Sequence, residues 1–232
     1  MAIYAISDLH LSLGTSEKPM DVFGPIWENH ADKINKNWKE TVKEEDLVLL
    51  PGDFSWAMHL EETKADFSYL NELPGKKILL KGNHDYWWNT LTKMNDYIKQ
   101  NHFSTIQFLY NNSYEYENTI IAGTRGWTLS CETEEDRKIL RREAERLKRS
   151  IEDGIKQYGK DKDIIVCMHY PPIKENEMSD FIKIMLEYNV KTCLYGHLHG
   201  PAQNHVREGN FYGIDLKMVS CDYTNFQLMK IK

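Results

Sequence analysis

The sequence predicts an α/β protein whose strands are covered by helices on both faces. Short apolar runs rich in Ile, Val and Leu recur along the chain, and segments with helical periodicity lie between them. These runs are "AIYAIS", "DLVLLPGD", "KKILLKGNHD", "DIIVCMHY" and "KTCLYGHLH". Continuous rather than alternating apolar residues are typical of strands that are buried on both faces. Each run also ends in Gly, Asp, Asn or His, at the position where α/β folds bind ligands.

Helices are predicted from apolar residues that recur every three or four positions. One set is Trp27, Ala31, Ile34, Trp38 and Val42, and a second is Leu140, Ala144, Leu147, Ile151 and Ile155. Helices are also expected near 59–72, 89–101 and 178–189. The second set lies in a charged segment of about thirty residues that includes "RKILRREAERLKR", which indicates a solvated helix face. The C-terminal segment from residue 210 has turn signals and predicts two or three strands without a helix.

The bulk composition is that of an ordinary globular protein. The chain has 232 residues, of which 41% are hydrophobic and 28% charged, and we interpret 1–232 as a single domain. No apolar run approaches the roughly 20 residues of a membrane helix. The N-terminus has no basic start or cleavage site, so we expect a cytoplasmic protein. Its cysteines are predicted to be reduced, mostly buried thiols.

The net charge of the chain limits the kinds of binding partner that are expected. A formal charge of −6 argues against a nucleic-acid partner bound by charge alone, although a local basic cleft is compatible with it. We expect no membrane partner. The sequence does not determine the oligomeric state.

The residues at the ends of the apolar runs share one kind of chemistry. They are Asp8, His10, Asp53, Asn83, His84, Asp85, His169, His197 and His199. Aspartate, histidine and asparagine without thiolate are typical ligands of Mn, Fe, Zn or similar divalent ions. The set holds more donors than one ion needs, and a pair of ions about 3.5–4 Å apart would use them all. The pattern therefore predicts a two-metal hydrolase.

The motifs DLH, GD, GNHD, H and GHLH, in this order over residues 8–199, resemble those of the calcineurin-like metallophosphoesterase superfamily. The resemblance implies a four-layer α/β (α+β) sandwich, in which two mixed β-sheets pack face to face between helices. It implies two divalent ions, with Mn favoured over Fe, Zn or Ni. The fold is shared by many activities, so it does not select the substrate.

The resemblance also implies a role for each motif residue. The ligands of the first ion would be Asp8, His10 and His199, and Asp53 would bridge to the second. The remaining ligands of the second ion would be Asn83, His169 and His197. His84 would lie near the leaving group, and Asp85 would orient its imidazole. His197 and His199 would thus serve different ions of one pair.

Three further residues are candidates for substrate binding. Trp56 and His59 follow the GD motif and are hypothesised to line the substrate entrance; the alternative is a helix start whose Trp packs on the core. Arg125, in "GTRGW" after an apolar strand, is hypothesised to contact a phosphate oxygen. The alternative for Arg125 is a loop arginine that pairs with a carboxylate.

The sequence thus predicts a phosphohydrolase that acts on a small phosphodiester or phosphomonoester by attack of a metal-bound water or hydroxide. A nucleotide or lipid-linked pyrophosphatase is an alternative, because "SDLHL" also opens that group. A non-catalytic metal-binding interaction scaffold is an alternative of another class. Its mark would be a missing ligand or a missing His84–Asp85 pair, and neither is missing.

Overall fold

The computed structural model describes residues 1–14, 19–175 and 177–232. Within these ranges the strands are β1 (Ile3–Ala5), β2 (Leu47–Pro51), β3 (Lys76–Leu80), β4 (Ile106–Leu109), β5 (Tyr114–Tyr116), β6 (Thr119–Thr124), β7 (Asp163–Met168), β8 (Thr192–Tyr195), β9 (Gly209–Phe211), β10 (Ile214–Met218) and β11 (Met229–Lys230). The helices are α1 (His30–Thr41), α2 (Lys64–Glu72), α3 (Leu91–Gln100), α4 (Glu134–Tyr158) and α5 (Asp180–Glu187). Short 3-10 helices cover Met20–Phe23, Pro25–Trp27, Leu60–Thr63 and Gly200–His205.

The strands form two mixed sheets. The first has the order β11-β1-β2-β3-β4, and the second has the order β5-β6-β7-β8-β10-β9. Neighbouring strands from β1 to β4 are parallel, as are β6, β7, β8 and β10, whereas β11, β5 and β9 pair antiparallel at the edges. The parallel strands of each sheet therefore end along one edge, where the loops that follow them can meet.

Side-chain alternation along the strands produces four layers. In β2, Leu47 and Leu49 face the other sheet, whereas Val48 and Leu50 face the helices. In the same way, the second sheet directs Ile165 inward. We call the apolar cluster between the sheets the inter-sheet core; its buried residues are Ile3, Ala5, Leu47, Leu49, Ile78, Leu80, Leu109, Ile121, Ile165, Cys167, Leu194 and Val219. This arrangement confirms the predicted four-layer α/β sandwich.

The helices cover the outer faces as their periodicity predicts. Trp38 of α1 is buried with the first sheet, and Leu147 and Ile151 of α4 are buried with the second. Helix α4 begins at a capping box, in which Thr133 and Asp136 exchange hydrogen bonds, and ends before Gly159, whose φ is 98°. Caps of this kind satisfy backbone groups that the helix itself leaves unpaired.

The five apolar runs became β1, β2, β3, β7 and β8, and the C-terminal segment contains strands without an α-helix, as expected. Strands β4 and β5 were not predicted; the first has only four residues and the second three. Cys167, Cys193 and Cys221 are buried and every cysteine is a free thiol, as predicted. In the described ranges, no helix combines the length and the apolar character needed to cross a membrane.

Candidate metal centre

The polar motif residues meet where parallel strands of both sheets end. Each motif begins one to three residues after the last residue of its strand: Asp8 after β1, Asp53 after β2, Asn83 after β3, His169 after β7 and His197 after β8. Asp8, Asp53 and His169 are almost fully buried. The fold therefore gathers side chains that are up to 191 positions apart in the sequence, from Asp8 to His199.

The first group of donor atoms comes from Asp8, His10 and His199. The Nε2 atom of His199 lies 3.4 Å from Nε2 of His10 and 3.3 Å from Oδ1 of Asp8. Two donors that each bind one ion at about 2.1 Å stand about 3.0–3.4 Å apart in octahedral or tetrahedral geometry. The three side chains therefore fit a shared divalent ion.

The second group comes from Asn83, His169 and His197. The amide Oδ1 of Asn83 lies 2.6 Å from Nε2 of His169 and 2.8 Å from Nδ1 of His197. The two ring nitrogens are 3.3 Å apart. The other nitrogen of His169, Nδ1, lies 3.1 Å from the carbonyl oxygen of Pro51, so the Nε2 atom is the one that faces the donors. The 3.3 Å between the ring nitrogens matches two ligands of one ion, whereas the two distances from Asn83 are shorter and are those of hydrogen bonds.

Asp53 lies between the two groups. Its Oδ2 atom is 3.7 Å from Nε2 of His10 and 3.5 Å from Nε2 of His169. Its Oδ1 atom accepts a hydrogen bond of 2.8 Å from the backbone N–H of His84. One carboxylate oxygen is therefore close to donors of both groups.

The backbone around the site is strained. Asp8, His10, Asp53 and His197 have φ values of 58°, 45°, 53° and 77°, in the left-handed region that residues other than glycine seldom adopt. Such conformations cost on the order of 1–3 kcal/mol each and are concentrated at functional sites. The surrounding structure, and not local preference, holds these four side chains in place.

Glycines allow the strand ends to approach closely. A Cβ atom on Gly52 would lie 2.6 Å from Nδ1 of His169, and one on Gly82 would collide with the carboxylate of Asp53. A Cβ atom on Gly196 would collide with Asp8. The glycines of the GD, GNHD and GHLH motifs are therefore required by space.

Burial keeps most of the imidazoles neutral. It lowers the pKa of His169 to about 3 and that of His197 to about 4, and it holds the pKa of His10 well below its ordinary value. The positive form of each ring is disfavoured because it would be desolvated. Neutral imidazole is the form that binds metal ions, so these rings need not lose a proton first.

The carboxylates concentrate negative charge. Burial raises the pKa of Asp53, and the charges of Asp85 and Asp8 raise it further. Burial also acts to raise the pKa of Asp8, but the hydrogen bond and charge of His199 outweigh burial and lower it. The buried carboxylates of Asp8 and Asp53 repel each other, and divalent cations would relieve that repulsion.

Asp222 belongs to the centre, although the sequence analysis did not include it. Its Oδ1 atom lies 2.9 Å from Nδ1 of His199, and its Oδ2 atom accepts a hydrogen bond of 2.8 Å from Gln203. Burial alone would lower the pKa of His199, but the hydrogen bonds to Asp222 and Asp8 raise it to about 10. The available signal was its position, because Asp222 follows strand β10 as the other motif residues follow theirs.

The GNHD motif contributes two residues with different surroundings. The ring of His84 is half-buried, with its centroid 4.6 Å from that of Trp56 and 5.6 Å from that of His10. Asp85 was expected to orient His84. Its carboxylate instead accepts hydrogen bonds from the backbone N–H groups of Asp53, Phe54, Ser55 and Gly82 and from the indole of Trp87. These contacts correct the expected role, because they fix the loop that carries Asp53.

The two candidates for the substrate entrance differ in position. The Trp56 ring stacks on the His10 ring at 4.8 Å between centroids, so Trp56 borders the donor groups. His59 is exposed and precedes the 3-10 helix Leu60–Thr63, where its backbone N–H donates to Glu62 at 3.0 Å. The contacts of His59 are those of a helix cap, and a role in substrate binding stays a prediction for both residues.

Arg125 follows β6 and supports the loop of His169. Its carbonyl oxygen accepts hydrogen bonds from the backbone N–H groups of His169 and Tyr170 at 3.1 and 3.0 Å. Its guanidinium lies 4.7 Å above the Trp127 ring and 4.0 Å from Glu143. The pairing with a carboxylate matches the alternative given above, and a contact with phosphate stays a prediction.

Fold and donor set together define a metal-dependent phosphoester hydrolase. The sequence profile described as Calcineurin-like phosphoesterase matches residues 1–201. The chain belongs to the calcineurin-like phosphoesterase family, as its motifs predict. Among curated proteins, none matches the chain.

Solved structures with the same fold support the architecture. A phosphopantetheinyl hydrolase from Mycobacterium tuberculosis has 14% identity and a TM-score of 0.57, with coverage of 99% of this chain and 95% of that one. The calcineurin-like phosphoesterase YfkN from Bacillus subtilis has 16% identity and a TM-score of 0.51, with coverage of 96% and 82%. A protein of unknown function from Aquifex aeolicus has 18% identity and a TM-score of 0.52, with coverage of 99% and 95%. At these identities the likeness establishes the fold alone.

Proposed function

We propose that the protein uses two divalent ions to hydrolyse a small phosphodiester or phosphomonoester. The observation that carries this proposal is the position of Asp53, whose Oδ2 atom lies 3.7 Å from His10 and 3.5 Å from His169. A carboxylate oxygen between two complete donor groups is the arrangement that a pair of ions requires.

In this proposal the donors are divided between two ions. The first ion would be held by Asp8, His10 and His199, with Asp53 as the shared ligand. The second would be held by Asn83, His169 and His197, again with Asp53. Oxygen and imidazole donors without thiolate favour Mn, Fe, Zn or Ni, and Mn remains the favoured ion. When bound, such a pair lowers the pKa of water at the site and offsets charge on the phosphate oxygens.

The residues around the donors would bind the substrate and move a proton. The half-buried His84 ring packs beside Trp56 at the donor groups, where an imidazole can donate a proton to the leaving oxygen. Asp85 supports this step indirectly, because its hydrogen bonds fix the backbone of Asp53 and Gly82. Trp56 orients His84 and His10 through ring contacts.

A pocket beside the second donor group would hold the organic part of the substrate. Its volume is about 380 Å³, and its wall includes Trp127, Leu129, Tyr170, Ile173 and Leu198 next to His197. The Tyr170 ring lies 4.1 Å from the His197 ring between centroids. An apolar and aromatic wall next to a polar centre is typical of small-molecule sites. The pocket therefore supports a small ester over a polymeric substrate.

The test is hydrolysis of bis-p-nitrophenyl phosphate and p-nitrophenyl phosphate, compared side by side with added Mn, Fe, Zn or Ni. Wild-type protein should turn over at least one ester and should bind two ions, measured by mass spectrometry of the dialysed protein. Asp53→Asn should lose both properties. Asp46→Asn is the control. Asp46 lies just before β2, is buried, and accepts a hydrogen bond from the backbone N–H of Ala2. This variant should keep both the turnover and the two ions.

Each outcome distinguishes the alternatives. Binding of two ions without turnover of any ester or pyrophosphate would favour the interaction scaffold. Turnover of nucleoside diphosphate compounds alone would favour the pyrophosphatase. Equal turnover by wild type and Asp53→Asn would contradict the proposal, because the activity would then come from a contaminant or from another site.

We also propose that the protein works as one domain in the cytoplasm on a small phosphorylated substrate, without a membrane or nucleic-acid partner. The buried free thiols of Cys167, Cys193 and Cys221 suit a reducing compartment. Cell fractionation with an antibody to the chain tests the location directly.

A further inference from the structure

A second pocket is lined by basic side chains and lies apart from the pocket beside His197. It has a volume of about 200 Å³ and lies between the first sheet, the loop after β6 and helix α4. Its basic residues are Lys81, Arg125, Arg142 and Arg146, and we call it the arginine pocket. The volume exceeds that of several water molecules at about 30 Å³ each, so it accommodates a phosphate group.

The arginine pocket has more positive than negative charge. Its one acidic residue is Glu143, whose side chain is 1% exposed. The Oε1 atom of Glu143 faces Arg146, Arg142 and Arg125 at 2.7, 3.7 and 4.0 Å, and its Oε2 atom accepts from Thr124 at 2.7 Å. Together with Lys81, the pocket has four cations and one carboxylate, so its formal charge is +3.

The cations of the pocket are crowded and under-paired. Three of them, Arg125, Arg142 and Arg146, share the single Oε1 atom of Glu143. The Nε atom of Arg125 is buried and has no hydrogen-bond acceptor among the described residues. A buried donor without an acceptor is costly, and an anion in the pocket would supply one.

The pocket is joined to the metal centre through the backbone. Lys81 precedes Gly82 and lies two residues before Asn83. The carbonyl oxygen of Arg125 is bonded to the backbone N–H of His169 at 3.1 Å. The pocket and the second donor group are therefore carried by the same chain segments, the loop after β3 and the loops after β6 and β7. Arg142 and Arg146 belong to the run that was interpreted as a solvated face; Arg142 is exposed, as that interpretation expects, and Arg146 is partly buried.

We propose that the arginine pocket binds a second phosphate, or an equivalent dianionic group, of the substrate. Arginine forks are suited to this ligand because they give paired, charge-assisted hydrogen bonds to phosphate oxygens. The preferred substrates are then esters with two phosphate groups, such as bisphosphates and nucleotides. This inference rests on the proposed function, since the first phosphate would lie at the metal centre.

The test compares the phosphonate analogues of propane-1,3-diyl bisphosphate and propyl phosphate, whose C–P bonds resist hydrolysis, as ligands of the Mn-loaded protein, using calorimetry; bisphosphate, monophosphate and propyl phosphate below denote these analogues. Homologous bisphosphates with two to six carbons measure the distance between the two sites. The bisphosphate of the best length should bind at least about tenfold more tightly than the monophosphate, as expected for an added charge-assisted contact. Calorimetry needs no turnover, so failure of the ester assay would count against the proposed function alone.

Variants locate the second phosphate. Arg142→Gln and Arg146→Gln should each reduce the bisphosphate advantage by roughly tenfold and leave propyl phosphate binding unchanged. Arg142 is 53% exposed, so its replacement tests the pocket even if Arg146→Gln unfolds. Arg149→Gln is the matched control, because Arg149 is an exposed arginine of α4 that does not line the pocket.

Two results would overturn the inference. The first is equal affinity for bisphosphates and monophosphates at every length in the wild type. The second is an equal loss of the advantage in Arg142→Gln and Arg149→Gln, which would show a general effect of charge.

Discussion

The sheet edge with the donor groups buries polar and charged side chains, whereas the inter-sheet core buries apolar ones. At the edge, Asp8, Asp53 and His169 are buried although they are polar or charged, and two of them have a positive φ. In the inter-sheet core, residues such as Leu49 and Leu194 are buried in regular strands and need no partners. Both sets of side chains are equally hidden from water, but only the polar set carries a cost of desolvation.

The difference indicates how the fold supports its chemistry. Strained backbone and buried charge raise the free energy of the native state at the edge, whereas apolar burial lowers it in the core. The core therefore holds the edge in a conformation that the local sequence does not favour. Substitutions in the two regions should affect different measured quantities, and the predictions below test that separation.

The largest effect is expected for Leu194→Ala, which removes a fully buried side chain from the inter-sheet core. The free energy of unfolding should fall by about 2–5 kcal/mol because of lost burial and the cavity that remains. The kcat of the folded fraction should not change. Urea unfolding and ester hydrolysis measure the two quantities. Leu186→Ala, on an exposed leucine of α5, is the control and should change neither.

The next effect is expected at the edge, for Asp222→Asn. The Asp222 carboxylate bonds Nδ1 of His199, and loss of such a partner typically costs about 10–100-fold in metal affinity. The Tm of the metal-free protein should fall as well, because Asp222 also stabilises the protonated His199 ring. Metal titration followed by calorimetry gives the affinity. Asp215→Asn, on strand β10 that precedes Asp222 and paired with Lys217, should leave the affinity unchanged; an equal loss in both variants would refute a specific role of Asp222.

A smaller effect of opposite sign is expected for Asp53→Asn in the presence of a chelator. The charges of Asp85 and Asp8 disfavour the carboxylate form of Asp53, and asparagine removes that repulsion while keeping the oxygen that accepts from His84. The Tm should rise by about 2–4 °C, the change that about 1 kcal/mol produces in a chain of this length. Differential scanning calorimetry in chelator measures it. A lower Tm would mean that the edge gains stability from its charges.

The sequence predicts the edge well where a motif follows a long apolar run. Asp53 and Asn83 follow five-residue strands, and the carboxyl ends of parallel strands meet whatever the loops between them contain. The four layers came from the resemblance, because apolar runs show burial but not which sheet a strand joins.

The sequence predicts contacts poorly where they depend on backbone atoms. The resemblance implied that Asp85 orients His84, but its oxygens face N–H groups of residues 53–55. Asp222 was missed because "SCD" is not a recognised motif, and its partner His199 lies 23 positions away. The charge of the arginine pocket was missed because helical periodicity identifies only the apolar face of α4. It does not show that Arg142 and Arg146 of this helix lie near Lys81 and Arg125.

The smallest predicted effect concerns a buried charge away from the metal centre. Lys77 lies near the start of β3, at the opposite end from Asn83; its side chain is 0% exposed, and its Nζ atom donates to Leu73 and to Thr105. Burial lowers the pKa of Lys77 to about 8 from 10.5. Between these values the unfolded chain binds more protons than the native protein, so stability should rise with pH.

Lys77→Met removes this pH dependence. The free energy of unfolding of the wild type, relative to that of the variant, should increase by about 1 kcal/mol per pH unit or less from pH 8 to 9.5. Urea unfolding at several pH values measures this slope, and Lys76→Met, at the exposed neighbouring residue, should behave as the wild type does. A wild-type advantage that stays constant over this range would show that the Lys77 ammonium is solvated. Buried charge would then be costly at the metal-binding edge alone, and the contrast with the rest of the fold would be sharper than proposed here.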